Sequence, residues 1–140
     1  MNELLVTIKD EDAVLITAPP GWGKTYKILR AIKETKRKCV FIFPLRALCD
    51  EVYLSSLKFK VNVCNIRKKA DLDILKDDLF DLIITTPECF DADVVEYLAS
   101  DYLFIFDEAH LLFYWGESFR PHLVELMENV LTFSPPVLFL

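Results

Sequence analysis

Glycine is scarce, with three in 140 residues, at positions 21, 23 and 116, and glutamine is absent altogether. No apolar run approaches the roughly 18 residues that a membrane-spanning helix needs, which leaves no membrane partner to expect. The segment Met1 to Lys9 lacks the basic start and apolar stretch of a secretory signal, so the expected compartment is cytoplasmic. Cys39, Cys49, Cys64 and Cys89 show no C-x-x-C spacing, which favours buried free thiols over a zinc or iron–sulfur site. His122 has no neighbour at ligand-like spacing. There is no internal repeat and no low-complexity linker.

What is present is an ordinary globular composition, 53% hydrophobic and 27% charged. Its length fits a single domain over residues 1–140 with one well-buried core. The net charge of −6 excludes nucleic-acid binding by bulk electrostatics, so any such contact must use a local patch or a second domain. Two basic clusters occur, at Lys36 to Lys38 and at Arg67 to Lys69. The first suits a solvated helix C-terminus, and the second a solvated face.

Strand-like and helix-like segments alternate every 20 to 30 residues. Strands are expected at Val14–Thr17, Cys39–Phe43, Val61–Cys64, Leu82–Thr85, Tyr102–Phe106 and Val137–Leu140. Helices are expected at Lys24–Lys33, Leu45–Leu57, from Pro87 to about Leu98, and from about Pro121 to Leu131, with Ala70–Leu79 a short helix or irregular crossover. Candidate core positions are Tyr26, Ile28, Leu29 and Ile32 in the first helix and Leu45, Leu48, Val52 and Leu57 in the second. Met1 to Asp12 has little periodicity. The alternation implies an α/β fold, a mostly parallel sheet with helices on both faces.

The chemistry concentrates first in Ala13 to Thr25, AVLITAPPGWGKT. An apolar strand runs into a loop of Ala18, Pro19, Pro20, Gly21, Trp22 and Gly23, then Lys24 and Thr25 open a helix. This has the form of a phosphate-binding loop, with Ala18 where the first glycine usually stands. Glycines let successive backbone N–H groups turn towards an anion at a helix N-terminus. Lys24 would add a charge for the β- and γ-phosphates of ATP, and the Thr25 hydroxyl would hold Mg²⁺. The bland alternative is a strand-to-helix turn that binds nothing.

Asp107 and Glu108 end the most apolar strand-like run. In a parallel sheet all strand C-termini share one edge, so these carboxylates and the glycine loop can converge. Asp107 would hold Mg²⁺ through its water shell, and Glu108 would orient or deprotonate the attacking water. In isolation the same pair reads as an acidic cap on a following helix.

The order of motifs resembles the first motor domain of superfamily 2 helicases, over Ala13 to about Leu140. APPGWGKT is similar to motif I, Phe43 to Leu48 to motif Ia, Thr86-Pro87-Glu88 to motif Ib, and Asp107 to His110 to the DEAH form of motif II. Trp115-Gly116-Glu117-Ser118-Phe119-Arg120-Pro121 resembles the aromatic-rich loop of RecQ-type DNA helicases, which senses single-stranded DNA and couples it to ATP hydrolysis. An aromatic platform and an arginine suit a single strand, the less favoured alternative being that Trp115 and Phe119, at helix-like spacing, pack against the domain.

The resemblance implies a RecA-like fold, ATP and Mg²⁺ as cofactors, and single-stranded nucleic acid, DNA by the aromatic loop, as partner. It also implies strand-backbone contacts from Arg46 and Thr86, coupling through His110, and binding by Trp115, Phe119 and Arg120. In such domains the strand after motif II lies between the motif I and motif II strands.

Three features depart from the family pattern. Glutamine, which normally reads adenine upstream of motif I, is missing. The Ser/Thr-Ala-Thr motif and a second RecA-like domain with its arginine finger are not in the chain. The expectation is therefore the N-terminal part of a longer helicase, truncated or naturally split, slow or inactive alone, since such an arginine is worth about 10³ to 10⁵ in rate. The competing readings are a nucleotide-binding regulatory module and an RNA helicase domain.

Overall fold

The computed structural model describes residues 1–9, 12–19, 21–76, 79–110 and 121–140. Six strands form one sheet: β1 (Ala13–Leu15), β2 (Cys39–Ile42), β3 (Val63–Asn65), β4 (Leu82–Thr85), β5 (Leu103–Phe106) and β6 (Val137–Phe139). Their spatial order is β1-β6-β5-β2-β4-β3, and every pairing is parallel. The strand that follows motif II does sit between those of motifs I and II, as the resemblance implied.

β2, β4 and β5 are buried at every position, as expected of parallel strands covered on both faces. One apolar layer gathers Ile28, Leu29 and Ile32 of α2 (Lys24–Thr35) with Phe41, Ile84, Ile105 and Leu138. α3 (Arg46–Lys58) adds Cys49 and Val52 to it. The other layer joins Val95 and Leu98 of α4 (Ala92–Ala99) and Leu126 and Val130 of α5 (Pro121–Phe133) to Phe104 and Ile83. The helices therefore cover both faces, and the sheet is wholly rather than mostly parallel.

Several local expectations change. Residues without visible periodicity form α1 (Asn2–Thr7), which buries Leu5 completely. The helix expected from Pro87 is a 3₁₀ turn, Pro87–Cys89, followed by α4. The Asp91 carboxylate caps α4 by accepting from the Val94 N–H at 3.0 Å, which starts the helix afresh. Residues Lys69–Lys76 are 3₁₀-helical. Tyr26, Leu45 and Leu57 are exposed rather than core, while Cys49 and Ser56 are buried instead.

All four cysteines are buried and none is in a disulfide. Burial pushes Cys49 up to about 11 and Cys39 higher still, so neither is a nucleophile at neutral pH.

Candidate functional site

The glycine loop leaves the C-terminal end of β1 and opens α2. Gly21 and Gly23 have φ of +82° and +77°, a left-handed backbone that strains other residues. A Cβ at either position would meet nothing within 4 Å, so the constraint there is conformational rather than one of space. Trp22 N–H donates to the Pro19 carbonyl at 3.3 Å, closing the turn between them. Pro20 lies outside the described residues. Gly23 is the N-cap of α2 and has no side chain to cap it, and Lys24 and Thr25 form the first helical positions. Free N–H groups at such an end favour negative charge.

A hydrogen-bonded ladder connects this loop to the carboxylates. Ile16 N–H donates to the Phe139 carbonyl at 2.8 Å, and Leu140 N–H to the Phe106 carbonyl at 3.0 Å. Asp107 N–H then donates to the Ile42 carbonyl at 2.9 Å, and Ala109 N–H to the Leu140 carbonyl at 3.2 Å. β1 and β5 are thus held two strand spacings apart, about 10 Å, with β6 between them.

Asp107 and Lys24 meet electrostatically at this edge. Burial raises the Asp107 carboxyl above the ordinary carboxylate range, the neighbouring Glu108 charge adds to that, and Lys24 pulls it back down. Glu108 has φ of +55°, an unusual conformation for a non-glycine residue and one found disproportionately at functional sites. Its carboxylate lies 3.2 Å from His110 Nε2.

The raised Asp107 value has a testable sign. The folded state binds this proton more tightly than the unfolded state does, so ionising Asp107 costs folding free energy. That cost is absent below the ordinary carboxylate pKa of about 4, grows as pH rises through the folded value, and is complete above it. Asp107→Asn is expected to melt at a higher temperature than the natural protein at pH 7, with the difference vanishing near pH 3. Thermal melts of both proteins across that range check it, and a difference independent of pH contradicts it.

The remaining sequence candidates separate. Arg46 Nη1 donates to the Ile66 carbonyl at 2.7 Å, its Nη2 to Asn65 Oδ1, and its Nε lies 3.5 Å from Asp50. The guanidinium therefore braces α3 against β3. Thr86 is buried, with its Oγ1 3.7 Å from Cys89 Sγ. Trp115, Phe119 and Arg120 lie outside the described residues.

Lys27, not singled out in the sequence, places its Nζ 3.9 Å from the centroid of the Trp22 ring. No periodic signal marks that pair, because a loop residue and a helix residue meet only once the turn is folded. Among the described residues there is no cluster of three or more metal-ligating side chains.

Residues 2–140, nearly the whole chain, match the sequence profile of the family described as DEAD/DEAH box helicase. The chain belongs to that family. It is a helicase-type ATP-binding unit with the RecA-like fold. Among curated helicases it is 31% identical over 119 residues to the human U5 small nuclear ribonucleoprotein 200 kDa helicase, covering 73% of this chain and 6% of that protein. It is 26% identical over 141 residues to the rat ATP-dependent DNA helicase Q5, covering 89% of this chain and 14% of that protein.

Among solved structures it resembles a hypothetical ATP-dependent RNA helicase from Sulfolobus tokodaii, with a TM-score of 0.64 at 22% identity over 97% of this chain and 42% of that one. The Sulfolobus solfataricus SWI2/SNF2 ATPase core in complex with dsDNA gives 0.63 at 15% identity, over 99% of this chain and 28% of that one. The chain spans less than half the length of each, and 6% and 14% of the two curated relatives.

Proposed function

We propose that this chain is the ATP-binding motor unit of an ATP-dependent helicase that couples hydrolysis to movement along single-stranded nucleic acid, with DNA as the favoured polymer. The observation that carries the reading is the convergence of Lys24 and Asp107 at one sheet edge, beside two left-handed glycines at a helix N-terminus. That donor set fits ATP and Mg²⁺: the backbone N–H groups of Gly21 and Gly23 and the Lys24 ammonium for phosphates, Thr25 and Asp107 for the metal.

The bound metal would offset phosphate charge and draw the ionised form of Asp107. Glu108 orients water in this scheme. In the same scheme His110, 3.2 Å from Glu108, couples that carboxylate to the state of a neighbouring domain.

DNA is favoured by the Trp115-Gly116-x-x-Phe119-Arg120-Pro121 sequence, whose rings and guanidinium suit a stacked single strand. Arg46 would reach a strand only by leaving Asn65 and Asp50, and Thr86 only through its backbone. We place both behind the aromatic loop as contacts. In the full-length protein, Trp115→Ala and Arg120→Ala are expected to lower DNA stimulation of ATPase by about tenfold or more, the loss of one stacking contact of about 1 to 3 kcal/mol, and to leave basal ATP binding intact. Undiminished stimulation in both variants would favour a nucleotide-binding regulatory module, and stimulation by RNA alone an RNA helicase.

A further inference from the structure

We infer that a second anion site, for a phosphate group, lies at the opposite edge of the sheet. A cavity of about 770 Å³ opens there, beneath the N-terminal ends of the strands. Lys9 enters it from the connection between α1 and β1, and Lys36, Arg37 and Lys38 from the turn between α2 and β2. Asp101 is the one carboxylate in its lining among the described residues. Among the described lining residues, four basic side chains thus stand against one acidic one, in a chain whose net charge is −6. None of the four is ion-paired with a described residue. The nearby Asp12 carboxylate is engaged by the Lys9 backbone N–H at 2.8 Å.

The basic turn is held in place. Lys36 caps α2 in a left-handed conformation, φ +60°, with its N–H donating to the Ile32 carbonyl at 2.9 Å. Arg37 N–H donates to Thr35 Oγ1 at 3.2 Å, and that hydroxyl donates to the Ala31 carbonyl at 2.7 Å. Arg37 Nε is nevertheless buried with no hydrogen-bond partner. Leaving such a donor unsatisfied costs about 1 to 3 kcal/mol, more when the group is charged. A helix C-terminus carries only about half a negative charge, enough to explain one cation beside α2 but not four from two connections.

A tetrahedral oxyanion supplies acceptors for the arginine fork and for three ammonium groups at once. Tyr102 and Pro136 add an apolar wall on which the organic part of a phosphate ester could rest, and the volume is in the range of small-molecule sites.

The phosphate loop would also take a polyphosphate, so the test removes it first. In the Lys24→Ala protein, calorimetric titration with tripolyphosphate is expected to show one remaining site. Adding Lys9→Glu and Lys36→Glu, both exposed positions, is expected to weaken that site about tenfold or more, two reversed charges in a partly enclosed cavity. Arg37→Gln, which reverses no charge, should weaken it as well. With Lys24 intact, the Lys9→Glu and Lys36→Glu protein should keep its ATP affinity and its melting temperature.

Complete loss of tripolyphosphate binding in Lys24→Ala alone, or affinity unmoved by the charge reversals, overturns the proposal. Failure of the chain to bind ATP, with the tripolyphosphate site intact, overturns the helicase reading and leaves this one standing. AMP binding tighter than inorganic phosphate assigns a phosphate ester as occupant, and equal affinities assign free phosphate.

Discussion

Replacing Lys24 with alanine is expected to reduce ATP affinity by about a hundredfold or more. Among the described residues, this ammonium is the only cation set against Asp107 at this sheet edge, apart from His110 when protonated. A hydrogen bond to a charged group is worth about 1.5 to 3 kcal/mol, and a phosphate chain offers Lys24 more than one oxygen. The loop backbone should survive, because its shape rests on Gly21, Gly23 and the Pro19–Trp22 turn rather than on the lysine. Binding is therefore lost without loss of fold. Removing Lys24 also removes the attraction that lowers the Asp107 pKa, so that value should rise further and stability should fall more steeply between acid and neutral pH. Calorimetric titration with ATP, paired with melts at two pH values, reads both effects. Unchanged ATP affinity would remove the phosphate-loop assignment.

The parts of this site that could be read in the sequence are those whose chemistry is local. A strand, a glycine-punctuated turn and Lys24-Thr25 are contiguous, so the turn signals and the motif reinforce each other. Asp107 and Glu108 were visible because they end an apolar run, and their meeting with the loop followed from the rule that parallel strands share a C-terminal edge. What the apolar pattern alone could not supply was the place of the last strand. Val137–Phe139 is three residues long, and only the family resemblance put it between β1 and β5.

Other misses have equally physical causes. α1 is six residues, less than two turns, too short for a 3.6-residue repeat to register. Tyr26 shares the spacing of the buried face of α2, but it sits in the first turn, beyond the cover of the core. Its ring meets Phe59 edge-on at 5.2 Å and remains mostly in solvent. In α3 the buried stripe is Cys49, Val52 and Ser56, so Val52 is as expected, Leu45 is the N-cap ahead of the helix and Leu57 lies one residue past the stripe. Leu45 and Leu57 look more apolar than Cys49 and Ser56, yet the latter pair faces the sheet. Arg46 illustrates a different limit. Its motif position suggests a strand contact, but of the partners that brace it Asp50 lies one turn along its own helix, while Asn65 and the Ile66 carbonyl lie about 20 residues on.

The strand that separates the two halves of the site makes the largest stability prediction. Leu138 is fully buried at the centre of β6, paired in register with Val14 of β1 and Ile105 of β5. It also belongs to the apolar layer under α2, the helix that carries Lys24 and Thr25. Leu138→Asp would remove an apolar side chain from that layer and place a carboxylate there. The lost contacts alone cost about 2 to 5 kcal/mol, and burying an unpaired charge adds several more. Domains are stable by only about 5 to 15 kcal/mol, so the variant is expected to show no cooperative melting transition at neutral pH. Acidification should partly restore it, because a protonated aspartate is cheaper to bury.

Leu131→Asp, on a side chain 73% exposed, should melt within a few degrees of the natural protein. If Leu138→Asp instead unfolds cooperatively near the natural temperature, β6 is not an integral part of the sheet. The link it provides between the Lys24 loop and Asp107 would then fall with it.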